Sequence, residues 1–474
     1  MTSPELCFLS AGQVGRLIQK KELSPVEVTE AHLKRIELLE PKLNSFITVL
    51  ADQALAAARE AEKEILAGRY RGPLHGVPLG LKDLYYTKWI RTTSGSKIFD
   101  AFVPDFDSTV AARLKAAGAI LLGKLNMHPL AYGPTGENGE YGDMHNPWNP
   151  ALIAGGSSGG CGSAAASGEC TVTMGSDTGG SIRIPSALCG LVGFKPTYGR
   201  LSRHGLTPLA WSQDHAGPIV RTVEDCALVM NAAAGFDPED PTSLDVAVPD
   251  YTRCLTGEVK GLRVGVPKEC WESPCDTQVK DVVWKAIDRL GELGAVISEV
   301  SWPLYRYCTA IASAIQMAEA TAYHSQLIRT HGPRIYAPVR LRLEAGFFIS
   351  ASDYVQAQRA RSLFYRESLT LFKEVDLLAG PTVPVTAFKI GTTRVAVGDK
   401  TAGAIGLLTQ YTRPFNLNGF PAITVPCGFS DEGLPIGLQL AGRPLEDETV
   451  LRTAYAYEQS TDCHQRRPSL EMQT

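Results

Sequence analysis

From Gly155 to Arg183 the chain reads GGSSGGCGSAAASGECTVTMGSDTGGSIR. Glycine loses more freedom in a regular element than any other residue, so clusters mark tight turns or close backbone approach to a ligand. Between Gly155 and Asp177 the same stretch carries seven serine and threonine hydroxyls. Two uses fit: a phosphate cradle, or a backbone cage around a nucleophilic hydroxyl. A phosphate loop needs Lys-Ser or Lys-Thr straight after its last glycine, and this stretch has no lysine. No strand runs directly into a G-x-G-x-x-G pattern either, which leaves the cage. TVTMGSD reads as a strand and SIRIPSALCG as the opening of a helix, so Thr178-Gly179-Gly180-Ser181 is the loop between them. Unpaired N–H groups at a helix start favour negative charge. They can form an oxyanion hole, with Ser181 placed to attack.

The surrounding pattern is α/β. Ser24-Pro25-Val26-Glu27 reads as a capping box with proline at the first helical position, and Val26, Leu33 and Ile36 share a face of the helix that follows. Helical composition resumes over 51–65. GVPLGLKD reads as a buried strand, residues 108–117 as a helix and AILLGKLN as a short strand, together one βαβ step. LRVGVP, the helix 276–293 and AVISEV form a second. AITVPCGFSDEGLPIGLQLAG reads as two strands joined through Asp431-Glu432-Gly433. Helices covering a mostly parallel or mixed sheet follow from this alternation. The Pro- and Asp-rich segment 237–250 is the best loop between halves.

Composition excludes several classes. A net charge of -4 over 474 residues gives no reason to expect nucleic acid or an anionic membrane. The first thirteen residues lack a secretory signal pattern, and no apolar run spans a bilayer, so the expected location is the cytoplasm. Eleven scattered cysteines fit reduced thiols, and Cys270 with Cys275 has no second pair to complete a zinc site.

A serine nucleophile needs a base. None of the nine histidines sits in a comparable glycine-rich setting. Lys82 in GVPLGLKD is the alternative, since burial disfavours the charged ammonium. The plainer reading of that lysine is an ion pair with Asp83.

GVPLGLKD, GGSSGG and GSDTGGSIRIPSALCGLVGFKPTYGR, with KLNM, NPWNP, GPTVPVTA and PAITVPCG in order, resemble the amidase signature family of Ser-Ser-Lys hydrolases. The resemblance covers about residues 20–460. It implies one α/β domain over 1–474, a large central mixed sheet with helices on both faces. Within it, an N-terminal helical segment spans about 1–65 and the motif-bearing core about 66–236; residues about 258–460 complete the sheet and pocket. It also implies Lys82 as base, Ser157 as bridging serine after a cis peptide, and Ser181 as nucleophile. Thr178, Gly179, Gly180 and Ser181 are implied as oxyanion donors, with Ser158, Asp177 and Arg183 in support.

The expected activity is hydrolysis of a small amide, anilide or carbamate through an acyl-enzyme, without metal or cofactor. The alternatives are the glutaminase component of a tRNA-dependent amidotransferase and a non-catalytic scaffold. In that glutaminase an arginine and an acid hold glutamine; these fall on Arg361 and, without a carboxylate here, near Thr409. Together with the mixed aromatic and aliphatic residues of YTRPFNLNGFPA and LEAGFFISASDY, this favours a neutral amide. NMHPLAYG puts Met127, Ala131 and Tyr132 at the acyl pocket. The expected partner is a small-molecule amide, with a homodimer left open and neither nucleic acid nor membrane.

Overall fold

The alternation of strands and helices closes into an eleven-stranded mixed sheet in the computed structural model, which describes residues 3–470. In chain order the strands are β1 (Phe46–Val49), β2 (Pro78–Lys82), β3 (Ile120–Leu125), β4 (Val172–Asp177), β5 (Val192–Lys195) and β6 (His215–Val220). The second half adds β7 (Arg263–Pro267), β8 (Val296–Val300), β9 (Leu377–Pro381), β10 (Ala422–Phe429) and β11 (Pro435–Gly442). Across the sheet they run β1-β3-β2-β4-β6-β5-β10-β11-β9-β7-β8. β2 is parallel to β3 and β4, and β7 is parallel to β8 and β9. The other neighbours are antiparallel.

Both expected βαβ steps are present as parallel neighbours. The helix Thr109–Ala116 links β2 to β3, and Thr277–Glu292 links β7 to β8. Side chains alternate across a strand, and β3 shows what each face meets. Leu121 enters a core with Val110, Leu114 and Val229, whereas Ile120 and Leu122 enter another with Ala54, Ala58 and Ala164. Helices therefore cover both faces. Among the described residues no helix is long and apolar enough to cross a membrane.

Two local features depart from the sequence reading. The N-terminal segment is not purely helical: FITV forms β1, an edge strand whose β-branched residues suit a pleated, half-buried surface. In the helix Pro25–Leu43 the buried stripe is Val28, His32, Ile36 and Leu39, with Val26 and Leu33 half-buried. The stripe turns because His32 is satisfied inside the core, its ring nitrogens meeting Val28 O at 2.8 Å and Thr171 Oγ1 at 3.0 Å. The capping box of Ser24 and Glu27 forms.

The segment 237–250 does not separate two sheets. Asp237 accepts hydrogen bonds from Ser202 and Thr109, and Asp240 accepts from the Arg203 backbone N–H, tying the loop to the first half. The sheet then continues from β5 directly into β10.

The helix Gly159–Ser167 is buried along its whole length, which its glycines and alanines allow. A Cβ on Gly160 would sit 2.4 Å from Ser45 O and 2.5 Å from Asn126 O, both backbone atoms. Gly160→Ala is therefore expected to destabilise the protein by about 1–3 kcal/mol through overpacking. Gly291→Ala, in a helix where the new methyl would meet only Ile297 at 3.4 Å, should stabilise it by about 0.5–1 kcal/mol. Urea unfolding of the two variants checks the opposite signs.

Candidate active site

Parallel pairing brings the carboxyl ends of β2 and β4 side by side, at the edge where α/β sheets commonly bind ligands. Lys82 ends β2 and Asp177 ends β4. A register shift between Leu79 and Gly80 in the pairing with β3 precedes Lys82. The lysine is wholly buried. Its Nζ lies 2.7 Å from Ser157 Oγ, 2.9 Å from Ser158 Oγ and 2.9 Å from Ser176 Oγ. The Gly156–Ser157 peptide is cis, and Ser157 and Ser158 directly precede the helix Gly159–Ser167.

Asp83 does not pair with Lys82. Its carboxylate lies 3.1 Å from Lys124 Nζ and accepts the Thr93 N–H at 2.8 Å. With only neutral hydroxyls around it, Lys82 is governed by burial, which lowers its pKa to about 7 against a weaker upward pull from Cys161, Asp177 and Asp214. A lysine at that value is substantially neutral at physiological pH.

The loop after β4 is fixed by Asp177. One carboxylate oxygen accepts the Gly180 N–H at 2.7 Å; the other accepts the Ile182 N–H at 3.1 Å and so caps the helix Arg183–Cys189. Arg183, also fully buried, donates to both oxygens at 3.0 and 3.1 Å and onward to Thr412 O, Gln439 Oε1 and Asn416 Oδ1. Burial pushes the Asp177 carboxyl upward, but Arg183, Lys195 and Asn416 together hold it below the usual range.

This geometry corrects one expected role. The Gly180 N–H is committed to Asp177, so Gly180 is not a free oxyanion donor. Its glycine is required for another reason: φ is +130°, and a Cβ would meet Thr412 Oγ1 at 2.3 Å. Among the described residues, the N–H groups of Thr178, Gly179 and Ser181 have no protein acceptor, and neither does the Ser181 hydroxyl.

Ser181 opens onto a cavity of about 280 Å³. Ala131 and Tyr132 line it as expected, in a segment where Leu130 and Ala131 both have positive φ, 53° and 57°. Met127 does not line it; the residue is buried and its carbonyl accepts from Asn138 Nδ2. Arg361 is also absent from the wall. Its guanidinium binds Leu417 O and Ser212 O, each at 2.7 Å, and fastens the helix Ala351–Glu374 to neighbouring loops. Arg342 and Arg413 occupy the wall instead, with Ser313, Gln316 and Thr409. Two cations thus stand on a wall that was expected to be largely apolar.

Sequence reasoning missed three residues. Ser176 was visible only as a strand position, because its place beside Lys82 depends on the β2–β4 pairing. Arg342 and Arg413 come from different helices, and nothing local in the sequence distinguishes them from the chain's other arginines. A second cavity of about 770 Å³ meets the first at Ala131, Thr178 and Leu209, with Asp214 and Glu319 in its wall. Among the described residues no group of three His, Cys, Asp or Glu could hold a metal ion.

Comparison with known proteins adds an independent finding. A family model described as Amidase matches residues 27–451. The A subunit of glutamyl-tRNA(Gln) amidotransferase from Acaryochloris marina (strain MBIC 11017) is 44% identical over 476 residues, 95% of this chain and 97% of that protein. The crystal structure of its counterpart from Thermotoga maritima superposes with a TM-score of 0.81 at 32% identity, covering 99% of this chain and 98% of that one. A chain from a vestigial protein complex, described as revealing the evolutionary origins of an s-triazine catabolic enzyme, gives 0.92 at 33% identity, with 95% and 98% covered. The expectation of a chain with no partner beyond a small molecule and at most its own copy is overturned, because these relatives are components of larger assemblies.

The Lys82 environment has a consequence for stability. A folded pKa of about 7, below the unfolded value, means the unfolded chain binds the extra proton between pH 7 and about 10. Stability should therefore rise with pH across that window, by at most about 1.4 kcal/mol per unit, and the penalty is fully present below pH 7. Chemical unfolding of wild type and Lys82→Met at several pH values checks this, since the variant should lack that component.

Proposed function

The chain belongs to the amidase family, enzymes acting on carbon–nitrogen bonds other than peptide bonds, and we propose that it is the amide-cleaving component of an amidotransferase-type assembly. The names borne by its relatives favour this reading over a free-standing amidase. The observation that carries the chemistry is Lys82: a buried amine, without a carboxylate partner, 2.7 Å from Ser157.

In the proposed cycle neutral Lys82 takes the Ser157 proton as Ser157 takes that of Ser181. Ser181 Oγ bonds to the amide carbonyl carbon, and the N–H groups of Thr178, Gly179 and Ser181 are available to the developing oxyanion. Loss of one such donor commonly costs about 3 kcal/mol. Ser157 then protonates the departing nitrogen, the carbon–nitrogen bond breaks, and an ester remains on Ser181. Water attacks the ester by the same relay and restores the serine. Ser158 and Ser176 hold the amine in place through the remaining contacts. Asp177 and Arg183 position the loop without touching the reacting atoms.

Ser181→Ala should leave the fold unchanged and reduce ammonia release by about 10³-fold or more. Lys82→Ala should lose about 10³-fold in activity per folded molecule. Wild-type kcat/KM should rise about tenfold per pH unit below 7 and level off above it, as Lys82 loses its proton. Mass spectrometry of a quenched reaction should find the acyl group on the Ser181 peptide. A folded Ser181→Ala protein with normal turnover would sink the reading.

A further inference from the structure

Two guanidinium groups line the cavity beside Ser181, and among the described residues neither has a carboxylate within ion-pair distance. Arg413 is 8% exposed. Its Nη1 donates to Ser313 Oγ at 2.6 Å, and its Nε has no partner. Arg342 donates to Pro338 O and Tyr132 O, both neutral, and stacks over the Tyr132 ring. The geometry aims Arg413 at the nucleophile loop: a methyl built on Gly179 would lie 3.6 Å from Arg413 Nε and 4.0 Å from Gln316 Oε1, the latter also unpartnered.

A buried cation without a counter-charge is costly, so this cavity is arranged for an anion. The other polar residues on its wall include Thr309, Ser313, Gln316 and Thr409; Asp and Glu are absent from it. An α-amino acid amide would bring a carboxylate that suits the arginines and an ammonium that does not. Two acids of the adjoining cavity, Asp214 and Glu319, already accept hydrogen bonds within the chain, and its other two, Glu239 and Asp240, are likewise absent from the wall beside Ser181. Asp214 accepts from Thr178 Oγ1 and from the Leu209 and Ala210 N–H groups, and Glu319 accepts from the Ser212 N–H and Tyr354 OH.

We propose that the acyl pocket takes an amide whose acyl part carries a carboxylate and no ammonium, the monoamide of a short dicarboxylic acid, and that Arg413 together with Arg342 binds that carboxylate. This rests on Ser181 being the nucleophile. The amide carbon–nitrogen bond breaks as the Ser181 ester forms, ammonia leaves, and water then releases a dicarboxylate. Arg413 is the specificity-determining residue, since it is a buried cation on this wall that faces Gly179 without a carboxylate partner.

Binding separates this from the chemistry. Full-length Ser181→Ala protein is titrated calorimetrically with succinamate, glutaramate, butyramide, asparagine and glutamine. Succinamate or glutaramate should bind at least tenfold tighter than butyramide and than the amino acid that matches it. Adding Arg413→Gln should weaken the carboxylated amide at least tenfold and leave butyramide unchanged. If that variant does not fold, Arg342→Gln takes its place. Asparagine or glutamine binding as tightly as its deamino counterpart overturns the proposal, as does butyramide matching succinamate. Preferential binding of succinamate without ammonia release from wild-type protein would support the subsite and instead overturn the acyl-enzyme reading.

Discussion

The charged pair of Asp177 and Arg183 is the constraint on which the nucleophile loop depends. Both side chains are fully buried, and together they engage the Gly180 and Ile182 N–H groups, Thr412 O, Asn416 and Gln439. Breaking such a pair leaves an uncompensated buried charge, which costs about 3–5 kcal/mol. The same contacts shape the loop at Gly180, cap the helix that follows, and join β4 to the C-terminal strands. The charge balance is local: Asp177 keeps its negative charge because Arg183 faces it, and it therefore raises Lys82 only weakly from a distance.

Two lysines on adjacent parallel strands show how small differences in partners separate structure from chemistry. Lys124 on β3 and Lys82 on β2 are equally buried. Lys124 has Asp83 at 3.1 Å, along with Tyr85 O and Thr92. Lys82 has three hydroxyls and no acid. An ammonium facing only hydroxyls gains little to offset desolvation, and a neutral amine can accept a hydrogen bond from one of them. The aspartate next to Lys82 in sequence belongs to the other lysine.

Much of the architecture was legible because it rests on local signals. The capping box at Ser24, the turn at Asp431-Glu432-Gly433 and the alternation of strand and helix all depend on neighbours in sequence. Motifs alone named Lys82 and Ser157, which the structure brings to 2.7 Å of each other. What stayed hidden is set by pairing across the sheet and by which turn of a helix faces inward. Ser176 meets Lys82 only through β2–β4 pairing. Arg361 was expected at the pocket, yet its helix turns it toward Leu417 O, while Arg342 and Arg413 reach the cavity. The free N–H of Gly180 was lost to Asp177, a contact that spacing within the loop does not reveal.

The order of strands carries a consequence for biosynthesis. β10 and β11 are made late, yet they lie in the interior of the sheet, between β5 and β9. Arg183 reaches its partners Thr412, Asn416 and Gln439 across 229 to 256 residues of chain. Contacts at such separation form late in folding, because loop closure must precede them. A growing chain on the ribosome thus holds Lys82, Ser157 and Ser181 for most of its synthesis without the girder that fixes the nucleophile loop. The loop that carries Ser181 can acquire its full set of contacts only after residue 439 has been added to the chain.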